Sequence, residues 1–136
     1  MRRVELGPAV VEVDGDTVFL NRQSAWTASN VGGFLALLEQ IRADHGCVFA
    51  VSDVSEGLSI SADARKRIAA WSRDHTLDAT VMVKATIAAR AVVILLMRGA
   101  QLLSGKTAPV YFASTQEEAL AIVDRERERA RARLRK

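Results

Sequence analysis

One stretch, Cys47–Ser61, constrains the fold of this chain more than any other. Its first five residues, Cys47–Val51, form a short apolar run that contains β-branched and aromatic side chains. Such a run is typical of a strand buried on both faces of a sheet. Polar residues follow at once, and Ser61-Ala62-Asp63 then has the composition of a helix N-terminus. A buried strand, a polar loop at its carboxyl end and a following helix mark the usual ligand position in an open α/β sheet.

Strand and helix patterns alternate on either side of this stretch and predict an α/β fold. Two extended runs, Gly7–Val13 and Thr17–Asn21, are joined by Asp14-Gly15-Asp16, whose Asp-Gly pair predicts an antiparallel hairpin. Pro8 is typical of a strand at the edge of a sheet. The later elements are predicted as helices over Thr27–Asp44, Ala62–His75 and Thr86–Ser104, strands over Asp78–Val83 and Pro109–Ala113, and a last helix capped by Ser114. We therefore expect a five-stranded, mostly parallel sheet with an N-terminal antiparallel hairpin and four helices.

The third helix is unusual because it is apolar nearly all round. A helical wheel predicts that its core face consists of Ala89, Val92, Leu95, Leu96, Leu102 and Leu103. The opposite arc carries Arg90, Arg98 and Gln101 together with three apolar residues, Ile87, Ile94 and Met97. Three explanations fit this arc: a protein interface, the border of a cavity for an apolar ligand, or scattered surface apolar residues.

Composition and charge bound the class of protein. The chain has 136 residues, 49% of them apolar, which predicts one folded domain over residues 1–124. Residues 125–136 are expected to be a basic extension of the last helix or a frayed tail. From Asp124 to Lys136 there are seven basic and three acidic residues, whereas the rest carries twelve basic and thirteen acidic. The near-neutral body does not support nucleic-acid binding. No apolar run approaches the ~20 residues that span a bilayer, so we expect a soluble cytoplasmic protein.

The sequence contains no complete motif for catalysis or metal binding. Ser104-Gly105-Lys106-Thr107 ends like a phosphate-binding loop, but the first glycine of that motif is missing and a strand follows, which predicts a turn. One cysteine and two isolated histidines predict no metal site, and no G-x-S-x-G sequence is present for a hydrolase. Gly32-Gly33 fits either a close packing contact or an anion near a helix N-terminus. We expect no enzyme and no cofactor.

The element order ββαβαβαβα carries a family resemblance together with three segments. These are Asp53-Val54-Ser55, Ser61–Lys66 and the closing unit PVYFASTQEEALAIV over residues 109–123. Together they resemble the STAS fold of SpoIIAA-like anti-sigma-factor antagonists, in the stand-alone bacterial type related to CRAL-TRIO lipid-binding domains. Family members that act as phospho-switches carry D-S-x-G at the start of the second helix. Here Ala62 falls on the acceptor position and the glycine is absent, so Ser61 is either a substitute acceptor or a plain N-cap.

The resemblance implies a non-enzymatic regulatory module that binds a protein partner or a second copy of itself in a homodimer. The candidate regulatory loop comprises Asp53, Ser55, Glu56, Ser59 and Ser61. The candidate interface or ligand face comprises Ile87, Arg90, Ile94, Met97, Arg98 and Gln101. The alternative function is a carrier or sensor of a lipid or other small apolar ligand, held against the third helix.

Overall fold

The computed structural model describes residues 1–6, 9–20, 26–55, 59–104 and 109–134, without the side chains of residues 100, 103 and 104. These residues form six strands and four helices. The strands are β1 (Arg2–Leu6), β2 (Ala9–Asp14), β3 (Thr17–Leu20), β4 (Phe49–Asp53), β5 (Ala79–Val83) and β6 (Val110–Ala113). The helices are α1 (Ala28–His45), α2 (Ala62–Trp71), α3 (Ile87–Ser104) and α4 (Gln116–Leu134).

The strands make one mixed sheet in the sequential order β1 to β6. Pairing is antiparallel from β1 to β3 and parallel from β3 to β6. The predicted α/β class, N-terminal hairpin and four helices are confirmed. The count of five strands is wrong, because Arg2–Leu6 pairs with β2 and becomes the edge strand in place of the one after Pro8. Only Val4 and Leu6 of this strand contact the core, so its apolar pattern is too short to stand out.

The sequential strand order decides which face each helix covers. Parallel crossovers are right-handed as a rule, and β3 to β6 follow one another in the sheet, which predicts α1, α2 and α3 on one face. All three helices line one cavity against the sheet, in agreement with this. Successive residues of β3 separate the two layers, since Val18 and Leu20 pack in the core that contains α1, whereas Phe19 packs in the core that contains α4. The sheet is therefore buried on both sides, as the apolar run at Cys47 predicts.

Local capping residues fix where the helices begin and end. Thr27 caps α1, and Asn30 completes a capping box by accepting a hydrogen bond from the Thr27 backbone at 2.8 Å. Gly46 ends α1 with φ of 80°, a left-handed conformation that favours glycine. The predicted Ser114 cap of α4 is wrong by one residue, because Thr115 Oγ1 accepts from the Glu118 backbone N–H at 3.1 Å.

The Gly32-Gly33 pair is explained by close packing. A Cβ atom at Gly32 would lie 2.7 Å from the Arg67 guanidinium carbon, and one at Gly33 would lie 3.1 Å from Leu6 Cδ2. Arg67 crosses α1 here and donates a hydrogen bond to the Ala28 carbonyl at 2.8 Å. The missing side chain of Gly32 therefore makes room for an arginine of α2.

Candidate functional site

An apolar cavity of about 210 Å³ lies between the sheet and the layer formed by α1, α2 and α3. It is partly open to solvent. Its floor is built from sheet residues that point to this face, namely Leu20, Ala50, Ser52, Thr80, Met82 and Val110. Small residues on adjacent strands make part of that floor, since Ala50 pairs with Thr80. The side chains of the helices leave part of the space above these short side chains unfilled.

Three helices supply the walls and roof. From α1 come Val31, Phe34, Leu35 and Leu38, from α2 come Ile68 and Trp71, and from α3 come Val93, Leu96 and Met97. Among the described side chains of α3, only Ala89 and Val93 are fully buried, with 1% and 2% of their surface exposed. The cavity lies beneath the middle of this 18-residue helix, where Val93, Leu96 and Met97 line it.

Trp26 and the segment Ser59–Ser61 close one end of the cavity. The Trp26 backbone N–H donates to the Ser59 carbonyl, and the Ser61 N–H donates to the Trp26 carbonyl, each at 2.9 Å. These bonds form an isolated parallel bridge with Ile60, which also lines the cavity. The Trp26 ring packs on Phe34 with a centroid distance of 5.2 Å. The candidate regulatory loop thus holds an aromatic wall of the cavity in place.

Trp71 and His75 form the opposite end. Helix α2 ends at Trp71 rather than at His75 as predicted, which lets the imidazole fold back and stack on the indole at 4.9 Å. His75 Nε2 lies 2.8 Å from Glu39 Oε1, and Nδ1 lies 3.2 Å from the Trp71 carbonyl. The Trp71 Nε1–H is buried and has no hydrogen-bond partner within the described ranges. An unpaired buried donor is costly, so an acceptor oxygen that reached this N–H would stabilise the protein.

Two of the loop residues predicted to be regulatory, Asp53 and Ser61, accept hydrogen bonds from nearby backbone N–H groups. Asp53 Oδ1 accepts the Ser55 backbone N–H at 3.0 Å, an arrangement typical of a turn. Burial raises the pKa of Asp53, but hydrogen bonds from Ser55 and the nearby Lys84 charge outweigh it and lower the pKa overall. Ser61 is the N-cap of α2, because its Oγ accepts from the Ala64 N–H at 3.1 Å. Glu56 lies outside the described residues.

The predicted face of α3 is divided by the structure. Ile87, Arg90, Ile94, Arg98 and Gln101 are exposed, whereas Met97 is half-buried and lines the cavity. The predicted core face is wrong for two large residues, since Leu95 is 55% exposed and Leu102 is 87% exposed. The wheel could not place them because apolar residues occur at nearly every angle of this helix. The packing of Ala89 and Val93 on the sheet sets its rotation instead.

A second cluster lies on the other face of the sheet, between the β2–β3 turn and α4. Arg127 donates to both carboxylate oxygens of Asp16 at 2.7 Å, and the Cys47 thiol lies 3.4 Å from Asp16 Oδ2. Burial, followed by the Asp16 carboxylate, raises the pKa of Cys47 to about 11, so the thiol is protonated at neutral pH. These charges satisfy one another, and the cluster fastens α4 to the sheet. Glu126 and Ala130 of the same helix are also buried.

The described part of the chain offers neither a metal centre nor a membrane-spanning helix. No group of three or more His, Cys, Asp or Glu side chains there is placed to hold a metal ion. None of the described helices combines the length and apolar content needed to cross a bilayer.

Comparison with known proteins identifies no relative. No family model matches the chain, and neither a curated protein nor a solved structure matches it significantly. Membership of the STAS family, a cytoplasmic location and a protein partner therefore stay predictions.

Sequence reasoning named Trp71 as an inner residue of its helix and missed Trp26. The scarcity of aromatic residues was a usable signal. Only 5% of the chain is aromatic, so its two tryptophans are unusually large side chains for this composition. Both tryptophans line the cavity. Their convergence depends on residues 45 positions apart in sequence and is a result of the tertiary structure.

Proposed function

We propose that this protein binds a small apolar ligand in the cavity between the sheet and α1, α2 and α3. The observation that carries this proposal is a cavity of about 210 Å³ with an almost wholly apolar lining. Well-packed interiors leave few voids larger than a water molecule. An apolar cavity of ~150 Å³ is known to stay dry and to bind a molecule such as benzene. A cavity of this size and lining is therefore suited to a ligand somewhat larger than a single aromatic ring.

The lining also defines the ligand's polarity. Among the described lining residues, only His75 has an ionisable side chain, and it already lies 2.8 Å from the Glu39 carboxylate. An ionised group inside the cavity would lose its hydration without a partner, which is costly. The Trp71 ring lines the cavity, and its Nε1–H is buried and unpaired among the described residues. The ligand class that fits is a short, uncharged aliphatic chain or ring with at most one polar group.

The test is a titration with 1-octanol followed by tryptophan fluorescence. Both tryptophans line the cavity, so filling it should change their emission in a saturable way. A matched probe, 1,8-octanediol, has the same chain and a second hydroxyl. Burying that hydroxyl without a hydrogen bond costs about 1–3 kcal/mol, so the diol should bind about 5- to 150-fold more weakly. Trp71→Phe and Trp26→Phe variants assign the signal to each end. An emission that does not respond to octanol up to its solubility limit would exclude the proposal.

Mass spectrometry of the purified protein under native conditions gives an independent measurement. A releasable, uncharged compound carried through purification supports ligand binding and identifies its class. The interaction-module function implied by the STAS resemblance is a separate prediction, and it requires a surface rather than a cavity.

A further inference from the structure

The outer face of α3 exposes several large aliphatic side chains to solvent. Four large aliphatic residues there are solvent-exposed, with exposed fractions of 90% for Ile87, 45% for Ile94, 55% for Leu95 and 87% for Leu102. They share one side of the helix, whereas Ala89 and Val93 face the sheet. Scattered apolar residues on a surface are normal, but a contiguous group on one helix marks an interaction site.

The charged residues of α3, and of the segments next to it in sequence, are all basic. From Ala79 to Gln116 the sequence has no acidic residue, and it contains four basic ones, Lys84, Arg90, Arg98 and Lys106. The rest of residues 1–123 then carries eight basic and thirteen acidic residues. Arg90 and Arg98 are exposed on α3 itself, and Lys84 is exposed just before it. The exposed aliphatic face therefore lies within a long stretch of the chain that carries basic residues and no acidic one.

We propose that the outer face of α3 docks this protein onto an anionic lipid surface. A helix that exposes large aliphatic side chains among arginines and lacks acidic residues suits the boundary between lipid headgroups and acyl chains. Arginine side chains lay their apolar stems along such a surface and extend their charge to the lipid phosphates. Membrane attraction increases with each basic residue near an anionic leaflet.

The position of α3 relates docking to the cavity. Met97 and Leu96, on the inner side of the same helix, line the cavity. A bilayer is the place where small apolar molecules concentrate, so docking through the outer side brings the roof of the cavity to the source of its ligand. The exchange of ligand rests on the proposed function, whereas the docking rests only on the exposed residues and charges of α3.

The test is sedimentation of the purified protein with phosphatidylcholine vesicles, with and without phosphatidylserine. Wild-type protein should bind the phosphatidylserine vesicles and release them in high salt. An Ile87→Gln/Leu102→Gln double variant should bind at least tenfold more weakly, and Arg98→Gln about fivefold more weakly. The matched control is Leu134→Gln, which alters a 68% exposed leucine on α4 and should bind as wild type does. Equal binding by the wild type and the α3 double variant would overturn the proposal, as would no binding of the wild type.

Two further measurements separate this proposal from its competitors. The first is sedimentation velocity without vesicles. If it detects a dimer that the α3 double variant loses, and the protein does not bind vesicles, the face belongs to a second copy of the chain and membrane docking is overturned. Octanol titration of the double variant in vesicle-free solution tests the cavity alone. Retained octanol binding with lost vesicle binding supports both proposals, and vesicle binding by a protein that does not bind octanol leaves docking standing while the ligand proposal fails.

Discussion

Replacing Ala50 with leucine should fill the cavity and stabilise the protein. Ala50 is 3% exposed, is the second residue of β4 and forms part of the cavity floor. Leucine adds three carbon groups, each worth about 0.8 kcal/mol when buried. Ordering the longer side chain costs about 0.5–1 kcal/mol. The free energy of unfolding should therefore rise by about 1.5 kcal/mol, and octanol binding should be lost.

The neighbouring Ala79 provides a matched control on the opposite face of the sheet. It is fully buried in the core beneath α4, beside Phe49 in the strand register. An Ala79→Leu change has no lining cavity to enter, and overpacking costs about 1–3 kcal/mol. The two variants should thus differ by about 3 kcal/mol in urea denaturation, which corresponds to roughly 10 °C in Tm.

The outcome that would refute this reasoning is specific. If Ala50→Leu loses as much stability as Ala79→Leu, the space over Ala50 is already filled by packed side chains. If Ala50→Leu is stabilised yet binds octanol with unchanged affinity, the ligand occupies another site. Either result removes the cavity as the basis of the proposed function.

The remaining predictions concern the ion pair, the thiol and the helix cap. Arg127→Met should lower the free energy of unfolding by about 3 kcal/mol, because it leaves the Asp16 carboxylate buried without its cation. Adding Asp16→Asn to this variant should restore most of the lost stability, as measured by urea denaturation. Burial raises the pKa of Asp16, but the bonds from Arg127 outweigh it and lower the pKa, so this stabilisation should be present above about pH 4 and lost as the pH falls below it. Cys47 has a pKa raised to about 11 from 9.0, so stability should fall by about 2–3 kcal/mol as the pH rises from 9 to 11, and a Cys47→Ala variant should not show that part of the loss. Ser61→Ala should cost about 1 kcal/mol through the lost N-cap, whereas Ser59→Ala should change stability by less than about 0.5 kcal/mol; equal effects in thermal unfolding would contradict the capping role.

The role of the predicted regulatory loop illustrates how far sequence reasoning reached. The sequence located a polar loop after a central buried strand, and the structure places its last residues against a cavity wall through the Trp26 bridge. The function expected there was contact with a partner through polar side chains. What the loop contributes to the cavity is a pair of backbone hydrogen bonds and the side chain of Ile60, and neither leaves a polar signature in the sequence.

The sequence by itself determined the local features of this protein. Gly15 turns the hairpin with φ of 59°, Thr27 and Ser61 begin their helices, and Gly46 ends α1. Each of these depends on residues within a few positions of one another, so short-range backbone energetics suffice to predict it.

Only the tertiary structure decided the rotation of α3, the pairing of Asp16 with Arg127 and the presence of the cavity. Asp16 and Arg127 are 111 positions apart, and nothing local distinguishes this arginine from the six other basic residues of the C-terminal stretch. On α3, apolar residues at nearly every angle leave the periodicity without a preferred face. The cavity is the space that small side chains on the sheet and large ones on three helices fail to fill, and such a mismatch exists only once distant elements have packed together.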